Sequence, residues 1–251
     1  MALFRCVIVL VALTCLVVVG SPVLAQIPDT FTNLEVLPRD IKKPELVSVM
    51  RTFSFALGVR CTHCHVGENA ADLSTVDFAS DAKDTKKIAR EMMKMSSEVN
   101  AILAKSIGSM RPEALQVRCI TCHHGLARPE TLEEVLSASV ALAGPDSTVA
   151  KYRRLREEYY GMAAYDFSEW SLITIAEKLT KDGASPDAAL ALLNTNLEFY
   201  PESAGTYARI AETYLAKGDK DAAMQNFEKA LTLAPDDPWL QRRIERVKAG
   251  N

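Results

Sequence analysis

The chain contains two copies of one short pattern, Val59-Arg60-Cys61-Thr62-His63-Cys64-His65-Val66-Gly67 and Val117-Arg118-Cys119-Ile120-Thr121-Cys122-His123-His124-Gly125. Together they hold all four histidines of the sequence and four of its six cysteines. In a C-x-x-C-H motif the two thiols can each bond to one vinyl group of a haem, and the histidine that follows then faces the iron as its proximal ligand. Each copy therefore predicts one covalently attached haem c.

The motif assigns the residues of both predicted haem sites. Thioether attachment is predicted at Cys61, Cys64, Cys119 and Cys122, and proximal iron ligation at His65 and His123. C-x-x-C pairs also occur in zinc sites, redox dithiols and disulfides. The two pairs here lie 58 positions apart and share the frame V-R-C-x-x-C-H-x-G. Haem is the favoured interpretation, with zinc or disulfides as the alternative.

The N-terminus has the pattern of an export signal. Arg5 supplies a positive charge, Cys6–Val19 is almost wholly apolar, and Val23-Leu24-Ala25 ends in small-residue cleavage chemistry. Residues 1–25 are therefore predicted to be a signal peptide, and the protein is predicted to be periplasmic, where bacteria attach c-type haem. The alternative is an uncleaved membrane anchor, although the apolar run is shorter than the ~20 residues that a spanning helix needs.

The rest of the sequence predicts an all-α protein of ordinary globular composition. Of its 251 residues, 48% are apolar and 24% charged, with a formal net charge of −3. No basic stripe stands out, which argues against a nucleic-acid partner. A first helix is predicted from Pro44-Glu45 to a stop at Gly58. A second is predicted to be capped by Ser80-Asp81 and to carry an apolar stripe that includes Ile88, Met92, Met95, Val99, Ile102 and Leu103.

The sixth iron ligand separates an electron carrier from an enzyme or gas binder. His63 and His124 adjoin the attachment cysteines or the proximal ligand, so neither can reach the opposite face of its own haem. Methionine is the common alternative in electron-transfer haems. From the residues alone, each of Met50, Met92, Met93, Met95 and Met110 could be a ligand or could simply pack in a core.

Several segments of the N-terminal half resemble the cytochrome c subunit of photosynthetic reaction centres. They are Asn33–Pro38, Leu46–Met50, Leu57–Cys61 and the run Ala89-Arg90-Glu91-Met92-Met93-Lys94-Met95 through Asn100. In that family a haem unit is a helix that carries the axial methionine, then a turn, then C-x-x-C-H. The resemblance covers roughly residues 30–128.

This resemblance implies the distal ligands. Met50 corresponds to the distal ligand of the first haem and Met92 to that of the second, which leaves Met93 and Met95 to pack. The sequence departs from the family in having two haem motifs rather than four. In addition, the helix that in the family supplies a histidine to a further haem contains none here. Residues 26–145 are therefore predicted to form a two-haem half unit of the family's subunit.

Beyond Arg128 the sequence acquires a 34-residue periodicity. Ala204–Pro235 resembles a tetratricopeptide repeat, a looser copy begins near Trp170, and Pro238–Lys248 has the charge of a solvating end helix. Residues 146–251 are thus predicted to be a helical tetratricopeptide-like domain that binds a protein or peptide. The alternative is a structural extension or a self-association surface. Two repeats are fewer than usual, so packing against the haem domain or against a helix at about residues 149–160 is expected.

The sequence as a whole predicts a periplasmic two-haem c-type cytochrome with a tetratricopeptide-like tail. Two His/Met-ligated haems would carry single electrons between redox protein partners, a membrane electron-transfer complex being one candidate. No substrate chemistry is expected. One alternative is a two-haem, peroxidase-like enzyme with an open or openable iron. The other is a scaffold that senses redox state and binds an envelope complex through its repeats.

Overall fold

A computed structural model describes residues 27–108, 115–181 and 185–250 of the chain. The predicted signal peptide of residues 1–25 and the candidate ligand Met110 lie outside the described residues. None of the helices in the described ranges is both long and apolar enough to cross a membrane.

The described residues are mainly α-helical, which confirms the predicted fold class. Their only β-type pairing is one isolated antiparallel bridge between Val66 and Asp77. Short 3₁₀ turns cover Cys61–His63 and Leu73–Thr75. The helices are α1 (Lys43–Leu57), α2 (Asp84–Ile107), α3 (Cys119–His123), α4 (Leu132–Tyr159), α5 (Glu169–Lys181), α6 (Pro186–Phe199), α7 (Ala204–Ala216), α8 (Lys220–Leu233) and α9 (Pro238–Lys248).

The described residues fall into two compact units. The first contains the chain up to Met50 together with Arg60–Ala101, and the second contains Arg51–Val59 and the chain from Ile102 onward. The first unit includes the first C-x-x-C-H motif and the second unit includes the other. The domain boundary predicted between residues 145 and 146 stays a prediction.

Helix α1 has the bounds that its sequence predicts. It begins at Lys43, with Pro44 and Glu45 in its first turn, and ends at Leu57. Gly58 follows with φ +65°, a left-handed conformation that glycine adopts without the Cβ penalty of other residues. Three residues therefore separate the end of the helix from Cys61.

Helix α2 begins later than predicted. The cap expected at Ser80-Asp81 is wrong, because the helix starts at Asp84. The carboxylate of Asp81 is instead engaged by tertiary ion pairs, at 3.1 Å from Nζ of Lys86 and 3.0 Å from the guanidinium of Arg90. Arg90 also donates to the backbone carbonyl of Asn33 and pairs with Glu35 at 3.1 Å. These ion pairs fix the N-terminal segment of the first unit on α2.

Helix α4 begins with a capping box and is kinked in its middle. The hydroxyl of Thr131 accepts from the N–H of Glu134, whose carboxylate accepts from the N–H of Thr131. Gly144, at φ +76°, breaks the helical backbone just before Pro145. Inside the kink, the buried hydroxyl of Thr148 donates to the Gly144 carbonyl at 2.8 Å. The two halves of α4 therefore differ in direction.

The C-terminal helices repeat with the predicted period. Helix α8 has the same length as α6 and begins 34 residues after it, and α9 occupies the predicted Pro238–Lys248. The larger core of the unit joins α4, α5, α6 and Ile210 of α7, and it includes Leu132, Leu136, Tyr152 and Leu155. A second core around Phe227 joins α7, α8 and α9. The expected packing of the repeats on the 149–160 helix is therefore confirmed.

Candidate functional site

The first C-x-x-C-H motif is wound into a single 3₁₀ turn. The N–H of Cys64 donates to the carbonyl of Cys61 at 3.3 Å, and the N–H of His65 donates to the same carbonyl at 3.0 Å. Residues three apart in such a turn share one side of it. Cys61 and Cys64 are half-buried free thiols. The turn therefore offers two thiols on one side, with His65 immediately after them.

The start of α2 wraps around this first motif. The hydroxyl of Thr85 donates to the carbonyl of His63 at 2.6 Å, and Nζ of Lys83 donates to the carbonyl of Thr62. Burial raises the pKa of the Cys64 thiol, an effect that Thr85 and Lys83 oppose. The α2 contacts thus hold the motif's backbone in place and moderate the acidity of its second thiol.

The imidazole of His65 is half-buried beside Phe78. The two ring centroids lie 5.1 Å apart in an edge-on arrangement. Burial and the charge of Lys86 lower the pKa of His65, whereas the Phe78 backbone raises it. Its Nδ1 atom is buried and makes no well-formed hydrogen bond within the described ranges. The neutral imidazole, which burial favours here, is the form that binds a metal ion.

The second motif forms the short helix α3. The hydroxyl of Thr121 accepts from the N–H of Arg118 at 3.0 Å and so closes the first turn. His124 ends the helix in a left-handed conformation with φ +47°, and its N–H donates to the carbonyl of Ile120. Cys119 and Cys122 lie three residues apart on this helix, as free thiols.

The ring of His123 is oriented by the backbone that follows it. Its Nδ1 lies 2.7 Å from the carbonyl oxygen of Leu126. Because a carbonyl can only accept, Nδ1 must carry the proton, and in the neutral ring the lone pair is then on Nε2. Metal-ligating histidines typically donate their other ring N–H to a carbonyl or carboxylate in this way. His123 therefore has the tautomer that a proximal iron ligand requires.

The final glycine of each motif makes a close backbone approach. A Cβ on Gly67 would lie 2.8 Å from Cγ2 of Val76. Gly125 has φ +89° and donates its N–H to the carbonyl of Ala56 at 2.9 Å. A Cβ on Gly58 would clash with the carbonyl oxygen of Gly125. The shared glycine thus serves a different contact in each motif, and the second contact seats the end of α1 against residues just after His123.

These features fit the covalent attachment of haem c. Each motif presents two thiols on one turn, followed directly by an imidazole. The hydrogen bond at Nδ1 of His123 leaves its Nε2 lone pair for a metal, and the ring of His65 is half-buried against Phe78. Among the residues that the structure describes, no three His, Cys, Asp or Glu side chains gather as a zinc site would require.

Comparison with protein families agrees with this geometry. Residues 72–164 match the photosynthetic reaction centre cytochrome C subunit family. This reaction-centre match confirms the predicted resemblance, and it indicates a haem-based electron-transfer role. It starts after the first motif and extends beyond Arg128, through α4. Residues 204–237 match the tetratricopeptide repeat, which confirms the predicted C-terminal repeat. No curated protein matches the chain.

The reaction-centre match includes Met92 and the second motif but neither Met50 nor the first motif. Met92 lies on α2 with 43% of its surface exposed, beside the exposed side chains of Ile88 and Met95. Met95, which was expected to pack, is instead 49% exposed. This apolar face is one that a haem could cover. Met50 is half-buried on α1.

The predicted ligand pairs are distributed over the two units. Met50 and His65 both belong to the first unit, as does Met92, whereas His123 belongs to the second. The ligand pairs Met50/His65 and Met92/His123 stay predictions.

The sequence analysis missed the residues that shape the first motif. Lys83 immediately precedes α2, Thr85 and Lys86 lie in its first turn, and all three contact the motif or the loop beside it. The run Lys83-Asp84-Thr85-Lys86-Lys87 reads as a solvated helix start. Only the burial of Lys86 distinguishes it from its neighbours, and burial depends on the tertiary structure.

Proposed function

We propose that the protein is a periplasmic, two-haem c-type cytochrome that carries single electrons between protein partners. The second motif is the observation that carries the proposal. Its two thiols share one helical turn, and Nδ1 of His123 donates a hydrogen bond to the Leu126 carbonyl. The reaction-centre family match across this motif supports the same function.

The chain's own residues would hold two haem c groups. Cys61 and Cys64 would attach the first, and Cys119 and Cys122 the second. His65 and Met50 would ligate one iron, and His123 and Met92 the other. When bound, each haem supplies an iron that exchanges one electron between its ferrous and ferric states. With two thioether bonds and two side-chain ligands for each haem, no iron position would be left open for a substrate, which would suit a carrier rather than an enzyme.

The proposal also includes where the protein is located and what it contacts. The signal-like residues 1–25 would export the chain to the periplasm before haem is attached, with an uncleaved anchor as the alternative. Family membership of this kind suggests redox proteins as partners, and the tetratricopeptide repeat suggests a protein–protein contact. The repeats would hold the two-haem region near a partner, of which a membrane electron-transfer complex is one candidate.

An optical redox titration of protein matured with a haem-attachment system tests this proposal. Two haems per chain, both low-spin, with a methionine-to-iron band and no response to carbon monoxide in the reduced form, are expected. A high-spin haem that takes up carbon monoxide would contradict the carrier and favour a peroxidase-like or sensing role. A chain that attaches no haem would overturn the proposal altogether.

A further inference from the structure

Lys86 is a buried lysine that the proposed electron transfer does not itself use. It is 8% exposed, and its Nζ donates to the carbonyls of Phe78, Ala79 and Ser80 at 3.0, 3.0 and 2.9 Å. The carboxylate of Asp81 lies 3.1 Å away. An ammonium has three N–H donors, and these are shared among the three loop carbonyls and the Asp81 carboxylate.

This loop covers one side of the first motif. Phe78 places its ring edge-on to His65, with the centroids 5.1 Å apart. One residue earlier, the N–H of Asp77 donates to the carbonyl of Val66 at 2.8 Å. Phe78 of the loop therefore contacts the predicted proximal ligand, the preceding Asp77 contacts the residue after that ligand, and Lys86 holds the loop by its carbonyls.

The charge of Lys86 also lies near the same imidazole, because its Nζ donates to the carbonyl of Phe78, the residue whose ring contacts His65. A buried cation is screened less by water than an exposed one. Lys86 and Arg90 are 10% and 12% exposed at their side chains, whereas their partners Asp81 and Glu35 are 36% and 53% exposed. Although the Oδ1 atom of Asp81 is also buried, the least exposed side chains of this cluster are the cationic Lys86 and Arg90. They disfavour any increase of positive charge at a group that His65 holds.

We propose that Lys86 is a positioning residue of the first haem: it clamps the 78–80 loop that orients His65 and raises the reduction potential of that haem. This inference rests on the proposed function. Clamp and charge would act together, because the loop that Lys86 holds contacts His65, and a haem iron bound to His65 would gain one positive charge on oxidation.

The test compares two substitutions of Lys86 with one of its neighbour in holoprotein matured with both haems. Lys86→Met keeps the side-chain length but removes the charge and the donors, and Lys86→Arg keeps both. Lys87→Met is the matched control, because Lys87 is 55% exposed and pairs only with Asp84 on its own helix turn among the contacts described. A Cys119→Ala/Cys122→Ala protein, which keeps only the first motif, assigns the two potentials.

The expected result is a lower potential for the first haem in Lys86→Met, with the second unchanged. In Lys86→Arg the potential of the first haem should stay close to that of the unsubstituted protein. Lys87→Met should leave both potentials at their original values. Unchanged potentials in Lys86→Met, or equal shifts in Lys86→Met and Lys87→Met, would overturn the proposal. If the unsubstituted protein lacks two low-spin haems, the proposed function itself fails, and this outcome is distinct from the others.

A second variant covers the case in which Lys86→Met does not fold. Phe78→Leu leaves the clamp and the charge in place but removes the ring beside His65. We expect it to keep both haems and to change the paramagnetic resonance signal of the first haem alone, since the orientation of the His65 ring determines that signal. An unchanged signal would contradict the positioning role.

Discussion

At the scale of single residues, the second motif depends on a backbone contact that leaves no room for a side chain. Gly58 and Gly125 both have positive φ, and a Cβ on Gly58 would meet the Gly125 carbonyl oxygen. The same approach lets the Gly125 N–H donate to Ala56. The end of α1 and the residues after His123 are therefore locked together by main-chain atoms.

Replacing Gly58 should consequently reduce the free energy of unfolding more than replacing a glycine that has space around its Cα. Gly58→Ala is expected to lower the free energy of unfolding by about 2–5 kcal/mol, from a left-handed alanine and an overpacked contact. Gly218→Ala is the matched control, because Gly218 has φ +81° but nothing within 4 Å of a Cβ. It should cost about 1–2 kcal/mol. Chemical denaturation of both proteins measures the difference, and equal losses would contradict the contact.

The distal ligand of the second haem is a prediction at the same scale. Met92→Ala should open one iron, giving a high-spin haem that binds carbon monoxide when reduced. Because Met92 is 43% exposed, the substitution removes little buried surface and should leave helix content unchanged. Met93→Ala, one position along α2, is the control and should stay low-spin. Two low-spin haems in Met92→Ala would mean that another side chain ligates that iron.

At the scale of elements, the start of α2 is organised by a carboxylate that lies outside the helix. Asp81 is engaged by Arg90, Asn33 and Lys86, which hold the pKa of its carboxyl well below the usual range. Since the folded-state pKa is lower than the unfolded one, the stabilisation is complete above the unfolded pKa. It is lost as the pH falls through the folded one.

In Asp81→Asn, the stability of the folded protein should therefore depend less on pH at acidic pH values. Near neutral pH the variant is expected to be less stable than the unsubstituted protein. Below about pH 4, where an unfolded aspartate begins to bind a proton, the difference between the two should shrink. Thermal unfolding measured across this range provides the test, with Asp84→Asn as control, since Asp84 is an exposed carboxylate three residues further along, in the first turn of α2. A difference that does not change with pH would contradict the role given to Asp81.

What the sequence could predict at this scale was local. The end of α1 at Gly58, the bounds of α9 and the 34-residue offset of α6 and α8 all follow from periodicity and from Pro and Gly positions. The cap at Ser80-Asp81 failed because a tertiary ion pair outcompeted a local hydrogen bond for the same carboxylate. Burial of Lys86 and the Gly58–Gly125 contact were also inaccessible, since each joins residues that are distant in sequence or depends on how a loop folds back.

At the scale of the whole molecule, the motif region of residues 27–128 and the helices α4 to α9 differ in how they are stabilised. In the second unit, buried side chains of α4 to α9 form two continuous cores. Within residues 27–128, the buried apolar side chains in the described ranges are far fewer and scattered: Ile41, Leu46, Ala56, Val76 and Leu126. The repeats are thus built to fold around their own core. The motif region is held by ion pairs and backbone contacts. The proposed haems would add further packing there.

The first half of α4 belongs energetically with the repeats, although it precedes the predicted boundary at residue 146. Leu132 and Leu136 are 4% and 0% exposed and pack in the same core as Tyr152 and Leu155. A fragment of residues 129–251 should therefore unfold cooperatively. A fragment of residues 146–251, which lacks both leucines, should be about 3–6 kcal/mol less stable, at about 1.5–3 kcal/mol for each buried side chain. Urea denaturation followed by circular dichroism compares the two, and Leu132→Ala/Leu136→Ala in the longer fragment separates the loss of packing from the loss of chain. Equal stability of the two fragments would instead place the domain boundary at the Gly144 kink.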